Sequence, residues 1–192
     1  MARTIVIVGV GALGSHLVQF LRNEDAKIRV IDFDRVEQKN IASQFHAKTN
    51  TGKKKVEALA QTMKFLYGYN VFKVSNKLTK DNVDQLLHDA DLIVDCLDNG
   101  EARRLIQGFA RARGRACIHG ALAADGAFGQ VVWDKDFTVD DEDVAGAETC
   151  AGGEFLPFIA IVSSYLARAV QRFLREGKQT GYSISNSGAV RI

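Results

Sequence analysis

The chain has 192 residues, of which 46% are hydrophobic and 25% charged, and its formal net charge at pH 7 is +2. This is the composition of one globular domain with a sizeable core, and the small charge excludes a field strong enough to indicate nucleic-acid or membrane-surface binding. Three scattered cysteines exclude a disulfide framework and a four-thiolate zinc site. The sequence begins without a basic leader and apolar segment, and the mostly apolar stretch 155–167 is shorter than the ~20 residues of a membrane span, so we expect a cytoplasmic protein.

Strand and helix patterns alternate along the first two thirds of the chain. The predicted strands, which are rich in β-branched residues, cover 4–8, 27–31, 71–75, 91–96, 115–120 and 126–133. The predicted helices between them cover 11–24, 52–67, 79–88 and 101–113. Such alternation with short connections predicts a single α/β domain, with a doubly wound, mostly parallel sheet of the Rossmann-like nucleotide-binding type. The strand at 126–133 could lie at an edge of that sheet.

The alternation ends after residue 133. An acidic, glycine-containing segment with no regular period predicts a loop over 134–153. An apolar helix is predicted from 154 to 176, and its Pro157 lies in the first turn, where a missing N–H is tolerated. The last residues predict a hairpin. The expected organisation is therefore one nucleotide-binding domain over 1–192, with the helix and hairpin at 154–192.

A glycine pattern follows the first predicted strand and opens the first predicted helix. Gly9, Gly11 and Gly14 have the G-x-G-x-x-G spacing that permits a tight turn and brings helix N–H groups close to a phosphate. Asp32 ends the second strand, where an acid can accept hydrogen bonds from ribose hydroxyls. The pattern predicts a nucleotide but does not distinguish NAD from ATP, and the glycines could instead serve only helix packing.

Further polar residues follow the second and fourth strands, at the edge of the sheet where such folds bind ligands. A lysine at a helix start supplies a charge for phosphate, and an aspartate after a strand can hold Mg²⁺ together with phosphate oxygens. These residues are Asp34, Asn40, Gln44, Lys55, Asp98, Asn99 and Arg103. Together they favour a nucleoside triphosphate site over a hydride-transfer site.

Four motifs in register resemble the ThiF/MoeB/HesA family, the adenylyltransferase relatives of ubiquitin-activating enzymes. The motifs are VGVGALGSH, IDFDRVEQKNIASQF, GKKKVEAL and DCLDNGEARR, and a later match begins at TCAGGEFLPF. The resemblance implies binding of ATP and Mg²⁺ and adenylation of the C-terminal carboxylate of a small β-grasp ubiquitin-like or sulfur-carrier protein. It also implies a homodimer or heterodimer, and no membrane or nucleic-acid partner is expected.

The resemblance also assigns roles to matching residues. Asn40 falls on the family asparagine that contacts phosphate, Lys55 on the lysine that neutralises the triphosphate, and Asp98 on the aspartate associated with Mg²⁺. The three glycines of the G-x-G-x-x-G pattern form the phosphate turn, and Asp32 binds the ribose. The supporting positions are Asp34, Gln44, Asn99 and Arg103.

The chain departs from the family pattern at three points. Ser43 replaces the arginine that meets the triphosphate, the N-terminal extension that carries another arginine is missing, and no paired C-x-x-C motifs are present. We therefore expect no zinc. Losing one preorganised charge costs on the order of 10²–10³-fold in rate, so catalysis is less secure than binding. Nearby cations that could compensate are Arg35, Lys39, Lys53 and Arg104.

Cys150 matches the family cysteine of the crossover loop, which in some relatives forms covalent intermediates. It is a tentative catalytic residue, since the acidic residues before it oppose thiolate formation. Cys96 and Cys117 are expected in the core. The four histidines are scattered, and no role is predicted for them.

The main prediction is thus an adenylating enzyme, and three alternatives stay open. One is a non-catalytic nucleotide-binding subunit that needs a partner, which Ser43 favours. Another is an NAD-dependent oxidoreductase, although the sequence offers no evident acid–base pair for it. The last keeps the family but activates an RNA-borne carboxylate, which the near-neutral charge disfavours.

Overall fold

A computed structural model describes residues 2–139 and 153–192. Eight strands form one sheet in the order β3-β2-β1-β4-β5-β6-β7-β8. The strands are β1 (Arg3–Val8), β2 (Ala26–Ile31), β3 (Phe72–Val74), β4 (Leu92–Asp95), β5 (Ala116–Leu122), β6 (Phe128–Trp133), β7 (Tyr182–Ser185) and β8 (Gly188–Arg191). The helices are α1 (Ala12–Phe20), α2 (Lys55–Tyr67), α3 (Val83–Leu87), α4 (Gly100–Arg113) and α5 (Leu156–Glu176).

The first five strands are parallel, and β1 lies at their centre with β2 and β4 on its two sides. Alternate side chains of β1 point to opposite faces of the sheet, as strand geometry requires. Ile5 and Ile7 pack in the core under α1, α2 and α5, while Val6 and Val8 pack under α3 and α4. The uninterrupted apolar run in β1 is therefore buried on both faces, and the predicted doubly wound α/β fold is confirmed.

The last strands are antiparallel, and β6 lies inside the sheet. It pairs with β5 through Ile118↔Trp133 and with β7 through Val131↔Tyr182. The suggestion that the strand at 126–133 could lie at an edge was therefore wrong. The predicted C-terminal hairpin is present as β7 and β8, and it is this hairpin that covers β6 and places the edge at β8.

Two helices begin later than their patterns predict. Gly52 has a φ of +87° and Lys54 forms an extended bridge with Arg35, so α2 begins at Lys55 rather than at residue 52. The segment predicted as a helix over 79–88 is helical only over Val83–Leu87. Residues 80–82 form a turn before it, in which the Asn82 side chain accepts the Thr79 N–H at 2.9 Å.

Helix α5 and the short turn before it form a segment, Gly153–Glu176, that is long and apolar enough to cross a membrane by length and composition alone. This corrects the expectation that no stretch reaches that length. Its buried side chains, among them Val162 and Leu166, belong to the core cluster that also contains Leu13 and Leu17 of α1. The Ser163 hydroxyl donates to the Leu13 carbonyl at 3.4 Å. The apolar side chains of α5 thus form part of the core between this helix and α1.

Candidate nucleotide-binding site

The turn after β1 needs glycine at two of its three glycine positions. Gly9 has a φ of +88°, and a Cβ there would lie 2.9 Å from the Cys96 carbonyl oxygen. A Cβ on Gly14 would lie 1.9 Å from the Gly9 carbonyl oxygen. Gly11 differs, because its nearest neighbour would be the Gln44 Nε2 at 3.9 Å. Gly9 and Gly14 therefore permit close packing, whereas Gly11, the residue that precedes α1, leaves the start of the helix accessible.

Asp32 lies directly after β2 and is buried beside this turn. Its Oδ2 accepts the Val10 N–H at 2.8 Å, and its Oδ1 accepts the Asp34 N–H at 2.8 Å. Burial raises the pKa of the Asp32 carboxyl, while the Val10 N–H and the positive charge of Lys55 act in the opposite direction. Asp32 thus connects the two loops, and its predicted contact with a ribose stays a prediction.

Lys55 is the first residue of α2 and is only 8% exposed. Its Nζ lies 3.1 Å from Asp34 Oδ2, and its backbone N–H donates to the Asp34 carbonyl at 2.9 Å. Its charge acts on both Asp32 and His46. An ammonium group is therefore held close to the glycine turn by a partly exposed carboxylate, in a position suited to compensating phosphate charge.

The segment after β2 continues into a short 3₁₀ helix, Gln38–Ala42. Asn40 is buried, and its Oδ1 accepts the Glu37 N–H at 2.9 Å while the Glu37 side chain accepts the Asn40 N–H. This reciprocal cap gives Asn40 a structural task in addition to its predicted phosphate contact. Residue 43 is a serine and is fully buried. Because a serine carries no charge, this position brings no cation to the site.

Two acceptor atoms beside the glycine turn have no hydrogen-bond partner among the described residues. They are Gln44 Oε1 and His46 Nδ1. The other ring nitrogen of His46, Nε2, donates to the Val10 carbonyl at 3.0 Å. Burial, assisted by the nearby charges of Lys55 and His16, lowers the pKa of His46 to about 4, and the hydrogen bond to Val10 acts in the opposite direction. Sequence reasoning missed His46, since no spacing pattern marks it and its contact with Val10 depends on the folded segment.

The turn between β4 and α4 packs against the glycine turn through Cys96, whose Cβ would lie 3.3 Å from a Cβ on Gly14. Asp98 is exposed there, and Asn99 caps α4 by accepting the Ala102 N–H at 3.0 Å. Arg103 instead donates to the carbonyls of Leu97 and Gly120. Its guanidinium thus links the β4–α4 turn to β5. Its predicted supporting role toward the nucleotide stays a prediction.

Behind that turn lies a buried polar network that the sequence did not reveal. The Asp95 carboxylate accepts the Leu97 N–H at 2.9 Å and contacts His119 Nδ1 at 2.8 Å. His119 Nε2 lies 3.2 Å from Asp134 Oδ1, and the His119 ring stacks on Phe137 at 4.1 Å. The network therefore connects the β4–α4 turn to the beginning of the acidic segment.

Three of the cations that could replace the missing arginine have neighbouring partners. Arg35 donates to the Gly52 carbonyl at 2.7 Å, and Lys39 lies 3.4 Å from Glu37. Lys53 donates to Gln61 Oε1 at 2.9 Å. None of these three contacts is with a residue of the glycine turn.

Of the cysteines expected in the core, Cys117 is buried there and Cys96 is partly buried and packs against it. Burial raises the pKa of both Cys96 and Cys117, so neither has the character of a nucleophile. Cys150 lies outside the described residues, as does most of the predicted loop at 134–153. Of that loop, Asp134–Asp136 forms a short 3₁₀ turn and Gly153 begins another.

The donor set of the site fits Mg²⁺ held chiefly by a nucleotide. Within residues 2–139 and 153–192, no group of three or more His, Cys, Asp or Glu is arranged to hold a metal ion. Mg²⁺ needs no such group, since it commonly uses one or two carboxylates together with phosphate oxygens and water. Asp98 is an exposed carboxylate on the turn that packs against the glycine turn.

A groove of about 490 Å³ lies away from the glycine turn, between α2 and β3. Lys53, Lys64 and Lys73 line it together with Glu57. It is lined by side chains of α2 and of the segment around β3 rather than by the ends of several strands. We therefore place the candidate site at the glycine turn, where buried polar groups from three loops meet, and not in this groove.

Comparison with known proteins identifies a family and several relatives. The ThiF family model matches residues 2–187. The SAMP-activating enzyme E1 of Haloferax volcanii is 31% identical over 128 residues, which cover 64% of this chain and 46% of that protein. Ubiquitin-like modifier-activating enzyme 5 of Drosophila grimshawi is 33% identical over 124 residues, which cover 54% of this chain and 30% of that protein. The chain thus spans less than half the length of these relatives.

Solved structures share the fold at low sequence identity. E. coli MccB crystallised with ATP has a TM-score of 0.78 and 15% identity, with 99% of this chain and 62% of that chain covered. PaaA has a TM-score of 0.76 and 17% identity, with 99% and 63% covered. Because the family model matches nearly the whole sequence, and the glycine turn, Asp32 and Lys55 lie together in the fold, the chain belongs to the ThiF family.

Proposed function

We propose that the chain binds ATP with Mg²⁺ at the glycine turn and activates a carboxylate as an acyl-adenylate. The observation that carries the proposal is the position of Lys55. Its buried ammonium is held by Asp34 at 3.1 Å and lies close enough to Asp32 to oppose the rise that burial causes in the pKa of that carboxyl. Family membership and the ATP named with MccB support the choice of nucleotide.

The proposed substrate is the C-terminal carboxylate of a small ubiquitin-like or sulfur-carrier protein. Two relatives support this class, because their names describe activation of SAMP and of a ubiquitin-like modifier. A homodimer or heterodimer is the proposed assembly.

The proposed reaction needs little acid–base chemistry. A carboxylate oxygen forms a bond to the α-phosphorus, the bond from that phosphorus to the bridging oxygen breaks, and pyrophosphate leaves with the electron pair. The residues contribute position and charge: Gly11 and the start of α1 face the phosphates, Lys55 compensates their charge, and Asp32 positions the loop. Asp98 would hold Mg²⁺, which supplies further charge compensation when bound. Asn40 would contact phosphate, and Cys150 stays a tentative covalent site.

A second candidate function is a nucleotide-binding subunit that lacks catalysis on its own. The specific observation in its favour is Ser43, which is fully buried at the position where the family pattern described above has an arginine. An arginine that stabilises phosphoryl-transfer charge can contribute ~10³–10⁵-fold. Nucleotide binding without turnover is the outcome that this candidate predicts.

The test is calorimetric titration of the chain with ATP in the presence of Mg²⁺, and then with NAD. We expect Lys55→Ala to weaken ATP binding at least about tenfold, because a charge-assisted contact is worth about 1.5–3 kcal/mol. Asp98→Ala should weaken binding only when Mg²⁺ is present. Lys53→Ala is the matched control, since Lys53 is a lysine two residues before α2 whose Nζ contacts Asn50 and Gln61 instead of Asp34.

Each outcome has a defined meaning. Binding of NAD alone, unaffected by Lys55→Ala, would contradict the proposal. If ATP binds as expected, exchange of labelled pyrophosphate into ATP with a carrier protein separates the two candidate functions. Exchange supports the adenylating enzyme, and its absence supports the non-catalytic subunit.

A further inference from the structure

The peptide groups around Val10 are fixed by two buried side chains from different parts of the chain. The Val10 N–H donates to Asp32 Oδ2 at 2.8 Å, and the Val10 carbonyl accepts from His46 Nε2 at 3.0 Å. The preceding residue is fixed as well, because the Gly9 N–H donates to the Ile31 carbonyl at 2.8 Å. The residue between Gly9 and Gly11 is therefore held on both sides.

The planar peptide bond gives the His46 contact a second consequence. In a trans peptide the C=O and the following N–H point in opposite directions. Fixing the Val10 carbonyl toward His46 thus fixes the Gly11 N–H to point away from His46. Gly11 is the residue that precedes α1, where N–H groups are suited to bind phosphate.

The segment that carries His46 is itself bound to α1. The Phe45 N–H donates to Ser15 Oγ at 2.9 Å, and His16 Nε2 donates to the Ser43 carbonyl at 3.2 Å. His46 is only 6% exposed, so its ring has little freedom. These contacts orient the ring before any ligand binds.

The protonation of His46 follows from its partner. A carbonyl oxygen can only accept, so Nε2 must carry the proton. Because the pKa of buried His46 is about 4, the ring is neutral at pH 7. Nδ1 is then an acceptor, and it has no partner among the described residues.

We infer that His46 is a positioning residue of the nucleotide site, which aims the Gly11 N–H at the phosphates by holding the Val10 carbonyl. The inference rests on the proposed function, since it assigns His46 to the same ATP site. Asp32 performs the complementary task on the Val10 N–H. The expected consequence is an effect on phosphate recognition that does not extend to the nucleoside.

Two substitutions separate the two ring nitrogens. His46→Gln keeps an N–H donor at about the position of Nε2 and so can hold the Val10 carbonyl. His46→Asn places its amide near Nδ1 and cannot reach that carbonyl. His16→Gln is the matched control, because His16 is a buried histidine of α1 whose Nε2 donates to the Ser43 carbonyl rather than to Val10, and glutamine keeps a donor at about that position.

The experiment measures the affinities of all four proteins for ATP with Mg²⁺ and for adenosine. We expect His46→Asn to weaken ATP binding about tenfold, which corresponds to one lost hydrogen bond, with adenosine binding changed less than about twofold. His46→Gln and His16→Gln should stay within about threefold of the wild type. Equal ATP affinities in the Asn and Gln variants, or an equal loss for adenosine, would overturn the inference.

The same titration separates this inference from the proposed function. If the wild-type chain does not bind ATP, the proposed function fails. If it binds ATP and the two His46 variants bind equally well, only the role of His46 fails. Should His46→Asn not fold, ¹⁵N spectra of the wild-type ring decide, since an Nδ1–H tautomer at pH 7 contradicts the hydrogen bond to Val10.

Discussion

The glycine-turn region and the β4–β5 region both contain buried polar groups, but they use them differently. Around the glycine turn, Gln44 Oε1 and His46 Nδ1 have no partner in the part of the chain that the structure describes. In the β4–β5 region, both carboxylate oxygens of Asp95 and both ring nitrogens of His119 have close polar neighbours. Since an unpaired buried polar atom is costly, the first arrangement indicates a place for a ligand or water, and the second a scaffold.

The same contrast separates Asp98, in the turn after β4, from Arg103, in the first turn of α4. Arg103 is committed to the carbonyls of Leu97 and Gly120, and so it stiffens the turn. Asp98 lies exposed on the outer side of the same turn. Asp98 is thus the carboxylate of this turn that stays open to solvent, whereas Asp95 is committed to buried contacts.

The largest expected effect is on the scaffold. Asp95→Ala removes the carboxylate that contacts His119 at 2.8 Å and Arg103 at 3.7 Å. The buried His119 ring and the Arg103 guanidinium then each lose this partner. We expect a loss of about 3–5 kcal/mol in the free energy of unfolding, measured with denaturant. The control is Asp89→Ala, which removes a more exposed pair with Arg29 and should cost less than about 1 kcal/mol. Equal losses would show that Asp95 is not part of a buried network.

An effect of similar size is expected at the glycine turn, but only in acid. The pKa of His46 is about 4 when folded and about 6.5 when unfolded, so the unfolded chain binds more protons between these values. The free energy of unfolding should therefore fall as the pH drops from 6.5 to 4, by at most about 3 kcal/mol from this group.

The measurement for that prediction compares the wild type with His46→Gln at pH 7 and at pH 4. The variant should lose less stability on acidification, because it has no proton to gain at this position. The groups that act on the His46 ring, Lys55 and His16, are unchanged in both proteins. A parallel loss in the two proteins would mean that His46 is not held neutral by burial.

A smaller effect is expected from the backbone packing of the turn. Gly14→Ala places a Cβ 1.9 Å from the Gly9 carbonyl oxygen, so the turn must shift. We expect a loss of about 1–3 kcal/mol in stability, measured by thermal unfolding, together with weaker ATP binding. Gly108→Ala is the control, since nothing lies within 4 Å of its Cβ position in α4 and it should stabilise by up to about 1 kcal/mol.

Local sequence patterns were sufficient for the parallel half of the fold. The β-branched run of β1, the glycine spacing and Asp32 after β2 all depend on residues close together in the chain, and each has a periodic signature. The start of α2 was placed three residues early because Gly52 and the bridge between Lys54 and Arg35 are features of a folded loop.

The rest of the site depends on contacts between distant residues. His119 contacts Asp95 across 24 positions, and His46 contacts Val10 across 36 positions. Neither histidine follows a motif spacing, so the sequence assigned no role to them. The interior position of β6 likewise depends on β7, whose pairing no local pattern in β6 could indicate.

The most direct test of the central claim is to map amide shifts of the ¹⁵N-labelled chain during titration with ATP and Mg²⁺. If ATP binds at the glycine turn, the largest shifts should occur at Gly11 and the first residues of α1, followed by Lys55. Shifts confined to the groove lined by Lys53, Lys64 and Lys73 would place the nucleotide elsewhere and contradict the account.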